Sequence, residues 1–165
     1  MNRDHALAFL QQNQPLPEDA ELARKIQEFV EVRDHFLANP DPACVPLFLN
    51  CFGEGSGYGV YQTIEDVVGK HDADLVIESL KEALLSTHPS VRYWCAQISE
   101  NYDSKDLVDG LINVYNSGNS DAKCAALTAL SNYDDSRVIG LARKALNGER
   151  DNDLLEIAED IICSS

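Results

Sequence analysis

Asn101-Tyr102-Asp103 returns thirty-one positions later as Asn132-Tyr133-Asp134. Recurrence at a fixed spacing of roughly 20–50 residues is the mark of stacked repeat units, and here the offset aligns far more than one triplet. Val76, Ile77 and Leu80 fall on Leu107, Val108 and Leu111, while Arg92, Cys95 and Ile98 fall on Lys123, Ala126 and Ala129. One step back, Val45, Leu49, Val60 and Val67 meet Val76, Leu80, Val91 and Ile98. One step forward the match loosens: Leu127 and Leu130 meet Ala158 and Ile161, with room for a one-residue slip.

Each unit divides into two helices. From Asp74 to Leu85 the apolar residues Val76, Ile77, Leu80 and Leu84 make a stripe along one side of a helix, which has to be buried against something else. His88-Pro89-Ser90 then breaks the helix, because Pro89 has no amide proton for the ladder and pushes its predecessor out of the α region. A second helix follows, with Val91, Cys95, Ile98 and Tyr102 on one face. Its counterparts are Val60, Ile64, Val67 and His71 before it, and Ala122, Ala126, Ala129 and Tyr133 after it. Asp72, Asp103 and Asp134 stand where a short polar side chain accepts from the free amides opening the next helix. Two helices per unit of about 31 residues, neither able to bury its stripe alone, predict an all-α chain folded as an α-solenoid of about four helix pairs.

With those residues in view, the stretch Leu84-Leu85-Ser86-Thr87-His88-Pro89-Ser90-Val91-Arg92-Tyr93-Trp94-Cys95-Ala96 resembles the turn and second helix of HEAT or armadillo-like repeats. In that family a small or polar turn precedes Val-Arg and an alanine-containing helix. Ser120-Asp121-Ala122-Lys123-Cys124-Ala125-Ala126-Leu127 keeps the pattern with Lys123 in the arginine position. The resemblance covers residues 42–165. The first unit departs from it, having a glycine-rich turn and Tyr61 where an arginine is expected. What the resemblance implies is that the second helices line a concave surface on which protein partners dock.

Ahead of the repeats, residues 18–38 read as one long helix with Leu22, Ile26, Phe29, Val32 and Phe36 among its apolar positions. Pro15-Leu16-Pro17 separates it from a short helix over Asp4–Gln12, and Pro40-Asp41-Pro42 closes it. Residues 1–41 are therefore expected to be an N-terminal helical cap on repeats spanning 42–165, the whole forming a single domain. A last helix near Asp153–Cys163, with Glu156, Glu159 and Asp160 facing water, would cap the other end.

The 165 residues carry 28 acidic and 13 basic side chains, a formal charge of −15. A surface this negative repels phosphate backbones and anionic lipid, so no nucleic acid or membrane partner is expected, whereas a basic protein is attracted. No window holds the roughly 20 apolar residues of a membrane span. Met1-Asn2-Arg3-Asp4-His5 opens no secretory signal, which makes the cytoplasm the expected compartment. Cys44, Cys51, Cys95, Cys124 and Cys163 are scattered and contain no CxxC pair, the distribution of reduced core thiols.

No chemistry-bearing motif stands out. Gly53-Glu54-Gly55-Ser56-Gly57-Tyr58-Gly59 has GxGxGxG spacing, but it lacks both the strand of a dinucleotide site and the lysine of a P-loop. It reads as a turn carrying Tyr58 as an exposed anchor. His5, His35, His71 and His88 lie in separate elements without metal-ligand spacing, and no GxSxG elbow occurs. No metal, no cofactor and no catalytic residue is assigned. The outward columns of the second helices are Gln62, Tyr93, Cys124; Asp66, Gln97, Thr128; and Gly69, Glu100, Ser131. Tyr93 and Trp94 are neighbours, so one of them must turn away from the buried stripe. Partner contacts are accordingly expected from Tyr58, Gln62 and Asp66 on the first unit, Tyr93, Trp94, Gln97 and Glu100 on the second, and Thr128 and Ser131 on the third.

These features together favour a non-catalytic protein-binding module. Its most specific form is a small acidic immunity or inhibitor protein that neutralises a basic toxin, such as a nuclease, by covering its nucleic-acid surface. A scaffold or assembly adaptor of a multi-subunit complex is the alternative. HEAT-like enzymes of DNA-base repair or bilin attachment are disfavoured: the first needs a cationic cleft, which the charge balance contradicts, and the second an exposed reactive residue, which the sequence does not identify.

Overall fold

The protein is described by a computed structural model covering residues 1–164. Among the described residues the secondary structure is entirely helical. Three helices come first: α1 Arg3–Gln12, α2 Asp19–Leu22 and α3 Ile26–Ala38. Then follow α4 Cys44–Leu49, α5 Ile64–Val68, α6 Ala73–Ala83, α7 Pro89–Ser99, α8 Val108–Ser117, α9 Ser120–Leu130, α10 Ser136–Gly148 and α11 Asn152–Ser164. Consecutive helices pack as α4 with α5, α6 with α7, α8 with α9 and α10 with α11. Later second members also touch one another, α7 against α9 and α9 against α11, while α4 lies against α6.

The thirty-one-residue register survives in these boundaries. Helices α7 and α9 are both eleven residues long and begin that distance apart. Val91, Cys95 and Ile98 on α7 and Ala122, Ala126 and Ala129 on α9 are all buried. Helix α11 begins one residue late, after Asp151 has taken the capping role by accepting from the amides of Asp153 and Leu154.

The recurring triplets serve as ties between units. The Tyr133 hydroxyl donates to the Tyr102 carbonyl at 2.8 Å and accepts from the Ser104 amide at 3.3 Å. The Asn132 side chain donates to the Glu100 carbonyl at 3.4 Å, and that of Asn101 donates to the Glu65 carboxylate at 2.9 Å. The aspartates do not cap as expected. Asp72 occupies the capping position of α6 without a side-chain bond, and in the later units the residue after the aspartate takes over. Ser104 accepts from Asp106 N, and Asp135 accepts from Arg137 N at 2.8 Å. Ser104 and Asp135 have the extended backbone that a capping side chain requires.

Three other expectations are corrected. Residues 18–38 are two helices, because the chain turns at residues 23–25, where Lys25 Nζ donates to the Asn13 side chain at 2.6 Å and binds the corner to the end of α1. The second helix of the first unit shrinks to α5, preceded by the 3-10 turns Gly57–Gly59 and Tyr61–Thr63. Left-handed backbone at Gly55, Gly57, Tyr58 and Gly59, with φ of 90°, 58°, 48° and 81°, keeps any α-helix from starting before Val60. The scattered cysteines are not all core thiols either: Cys44, Cys51 and Cys95 are buried, Cys124 is half-buried and Cys163 is exposed.

The glycine segment is held in place. Gly53 N donates to the Tyr61 hydroxyl at 3.0 Å, and a Cβ at Gly53 would stand 2.1 Å from the Leu16 carbonyl oxygen. Among the described residues no helix is long and apolar enough to cross a membrane.

Two stability measurements follow from this packing. Gly53→Ala should cost about 2 kcal/mol or more, since backbone has to move to admit the methyl group; an unchanged urea midpoint would exclude the close approach. The buried Tyr115 hydroxyl has no hydrogen-bond partner among the described residues, so Tyr115→Phe should be neutral or stabilising by up to about 1 kcal/mol, and a clear loss in the same assay would reveal a hidden partner.

Candidate functional site

Phe52 and Tyr61, on either side of the glycine segment, and Tyr93 and Trp94 of α7 bring four aromatic rings together. Trp94 stacks on Phe52 with centroids 5.5 Å apart and planes 13° from parallel. Its edge contacts are Tyr61 at 5.7 Å and Tyr93 at 5.4 Å. Phe52 and Tyr61 are fully buried and fix Trp94 from behind. Tyr93 is pinned in turn by Gln97, whose side-chain amide donates to the Tyr93 hydroxyl at 2.8 Å. Contrary to the sequence reading, neither aromatic turns fully outward: Tyr93 and Trp94 are both half-buried.

Three hollows open around this group. The largest, of about 590 Å³, lies between the glycine segment and the N-terminal ends of α7 and α9, with Tyr93, Trp94, Glu54 and Asp121 among its walls. A second, of about 260 Å³, includes Tyr93, Gln97, Glu100, Cys124, Asp151 and Asp153 and has no lysine or arginine in its lining. The third, of about 290 Å³, is bounded by Gln62, Glu65, Trp94, Gln97 and Glu100 among others. Tyr93, Trp94, Gln97 and Glu100 therefore form the shared ridge between them.

The remaining expected contacts scatter. Thr128 is half-buried in the second hollow, and with Ser131 it also lines a separate hollow of about 660 Å³ at the α10–α11 end. Asp66 is exposed outside these hollows, as is Tyr58, 55% accessible on its left-handed backbone. Phe52, Glu54, Tyr61, Asp121, Asp151 and Asp153 were not singled out from sequence. Phe52 and Glu54 lie between helices, Tyr61 in a 3-10 turn and Asp151 just ahead of α11, where helical periodicity gives no facing direction, while Asp121 and Asp153 are polar first-turn residues of α9 and α11 that carry no apolar signal.

The field in the second hollow is legible in Cys124. Burial first, and then the carboxylates of Asp151, Asp153, Asp121 and Glu149, push its thiol up to about 11. Asp151 itself is held below the ordinary carboxylate range, chiefly by the Ser120 hydroxyl at 2.6 Å. Lys123 adds no free positive charge here, because it pairs with Glu149 at 2.6 Å.

No family model, no curated protein and no solved structure matches this chain.

Away from this face, one thiol–imidazole pair stands close enough for chemistry. Cys44 Sγ lies 3.7 Å from His71 Nε2, a pairing that activates a nucleophile when the thiol is ionised. Here burial pushes Cys44 up to about 12, so the reactive thiolate is essentially unpopulated near neutrality. Among the described residues no group of three or more His, Cys, Asp or Glu side chains is placed to hold a metal ion.

Thiol alkylation reads the field directly. With Cys124 near 11, about one molecule in a thousand carries its thiolate at pH 8, so iodoacetamide should label exposed Cys163 first. Labelling of Cys124 should rise about tenfold per pH unit toward 11, and Asp151→Asn should raise its rate at pH 8 by removing a negative neighbour. Equal rates in that variant and the parent would show that the carboxylates do not set the local field.

Proposed function

We propose that this chain is a protein-binding module built as a HEAT-like solenoid, and that the ridge Tyr93–Trp94–Gln97–Glu100 with its flanking hollows is the face that docks a basic protein. Support for the solenoid comes from the packing of α7 on α9 and α9 on α11, together with the thirty-one-residue register of their boundaries. The observation that carries the docking role is Tyr93, braced by Gln97 and Trp94, beside a hollow whose charged lining residues are all carboxylates. Fixed aromatic side chains bury large areas at little entropic cost, which is why they anchor interfaces. Carboxylates around them speed the encounter with a cationic surface and discriminate against acidic proteins.

Within that class the reading is an inhibitor of the immunity type, which covers the cationic surface of a toxin such as a nuclease. The net charge of −15 on 165 residues suits this task, because a nucleic-acid-binding surface is itself a dense cationic patch. Inhibition then needs occlusion alone and no chemistry from this chain.

The test is affinity capture on the tagged chain from the cells that produce it, with partners identified by mass spectrometry and then purified. A single strongly basic protein should be retained, its association rate falling as salt rises, and its activity should be blocked at stoichiometric amounts of this chain. Tyr93→Ala with Glu100→Ala should weaken that complex by about 2 kcal/mol or more while the thermal midpoint stays nearly unchanged. Capture of a multi-subunit assembly with no basic member, or a double variant that binds as the parent does, would overturn the inhibitor reading.

A further inference from the structure

We propose that the hollow between the glycine segment and the N-terminal ends of α7 and α9 receives an arginine side chain of the partner, its guanidinium lying against Tyr93 and Trp94 and paired with Asp121. The inference rests on the reading of this face as a docking surface for a basic protein, and it specifies which cation that face selects.

The aromatic wall is preorganised. Phe52 and Tyr61 hold Trp94 from within, and Gln97 holds Tyr93, so an incoming side chain has no ring to order first. Asp121 and Glu54 are exposed and line the hollow, and among the described residues neither takes part in an ion pair. Arg92 also lines it, but its guanidinium donates to the Ser86 carbonyl at 2.7 Å, outside the hollow. With Glu54 and Asp121 set against this one guanidinium, the lining keeps a net negative charge.

The combination of ring faces and a carboxylate favours arginine over lysine. A guanidinium is planar and weakly hydrated, so it stacks on an aromatic face and still presents two parallel N–H groups to a carboxylate. An ammonium is compact and strongly hydrated, and loses more on entering such a cavity. Tyr93 and Asp121 also line the neighbouring hollow with Glu100 and Asp153, so a second basic residue of the same segment has a place beside the first.

Trp94 is the only tryptophan in the chain, which makes the intact protein its own reporter. The probe is a blocked nine-residue peptide of alternating glycine and arginine, with citrulline and lysine versions as controls. The arginine peptide should shift Trp94 emission saturably. Citrulline, which keeps the shape and loses the charge, should bind at least about tenfold more weakly, and lysine about threefold more weakly. Tyr93→Leu and Asp121→Asn should each weaken the arginine peptide by about fivefold or more, with thermal midpoints within a degree or two of the parent. Equal binding of citrulline or lysine, no saturable shift, or unaltered affinity in Asp121→Asn would overturn the arginine hollow. Should the peptide fail while a basic protein is still captured and is released by Glu100→Lys, the hollow is wrongly assigned and the docking face stands. Should both fail, the docking face falls with it.

Discussion

The structure rests on one constraint: helices of ten or eleven residues with a single apolar stripe are marginal alone and become stable by sharing buried surface with the next helix. Val91, Cys95 and Ile98 of α7 and Ala122, Ala126 and Ala129 of α9 are all sequestered from solvent, and α9 lies against both α7 and α11. With the inner stripes committed to this mutual burial, the outward positions of the same helices are released from packing duty. The ridge of Tyr93, Gln97 and Glu100 exists because α7 spends its other face on its neighbours.

Hydrogen bonds between units add register to that burial. The Tyr133 hydroxyl and the Asn132 amide both reach carbonyls of the preceding unit, at Tyr102 and Glu100. A backbone carbonyl at a helix end has no partner within its own helix, so a side chain arriving from the next unit satisfies it and sets the spacing at once. The asparagines of the two triplets both reach back to earlier residues but meet different groups, the Glu65 carboxylate for Asn101 and the Glu100 carbonyl for Asn132.

Much of this could be read from residues alone. The paired helices over residues 73–130, the break at His88-Pro89 and the buried stripes of α7 and α9 follow from periodicity, which reports what must be hidden. Turn geometry follows from φ and from local partners instead. Accordingly the capping side chains stand one residue after Asp103 and Asp134, and the bend at residues 23–25 leaves no periodic signature because the Lys25–Asn13 bond that holds it joins distant positions. The site was legible by half in the same way: Tyr93, Gln97 and Glu100 came from the helical columns. Phe52, Tyr61 and Asp121 flank turns, and their approach to Trp94 or Tyr93 depends on how three chain segments fold together.

The alanines of α9 carry a final consequence. Small buried side chains let backbones approach closely, and Ala122, Ala126 and Ala129 are among the buried positions of a helix that lies against α7, α8 and α11. A bulkier residue at one of these positions would act as a wedge, parting the helices and altering the gape of the hollows beside Tyr93 without changing any residue that lines the ridge. The spacing of the helix rows is thus governed by residues buried from solvent, while the visible face keeps the same letters.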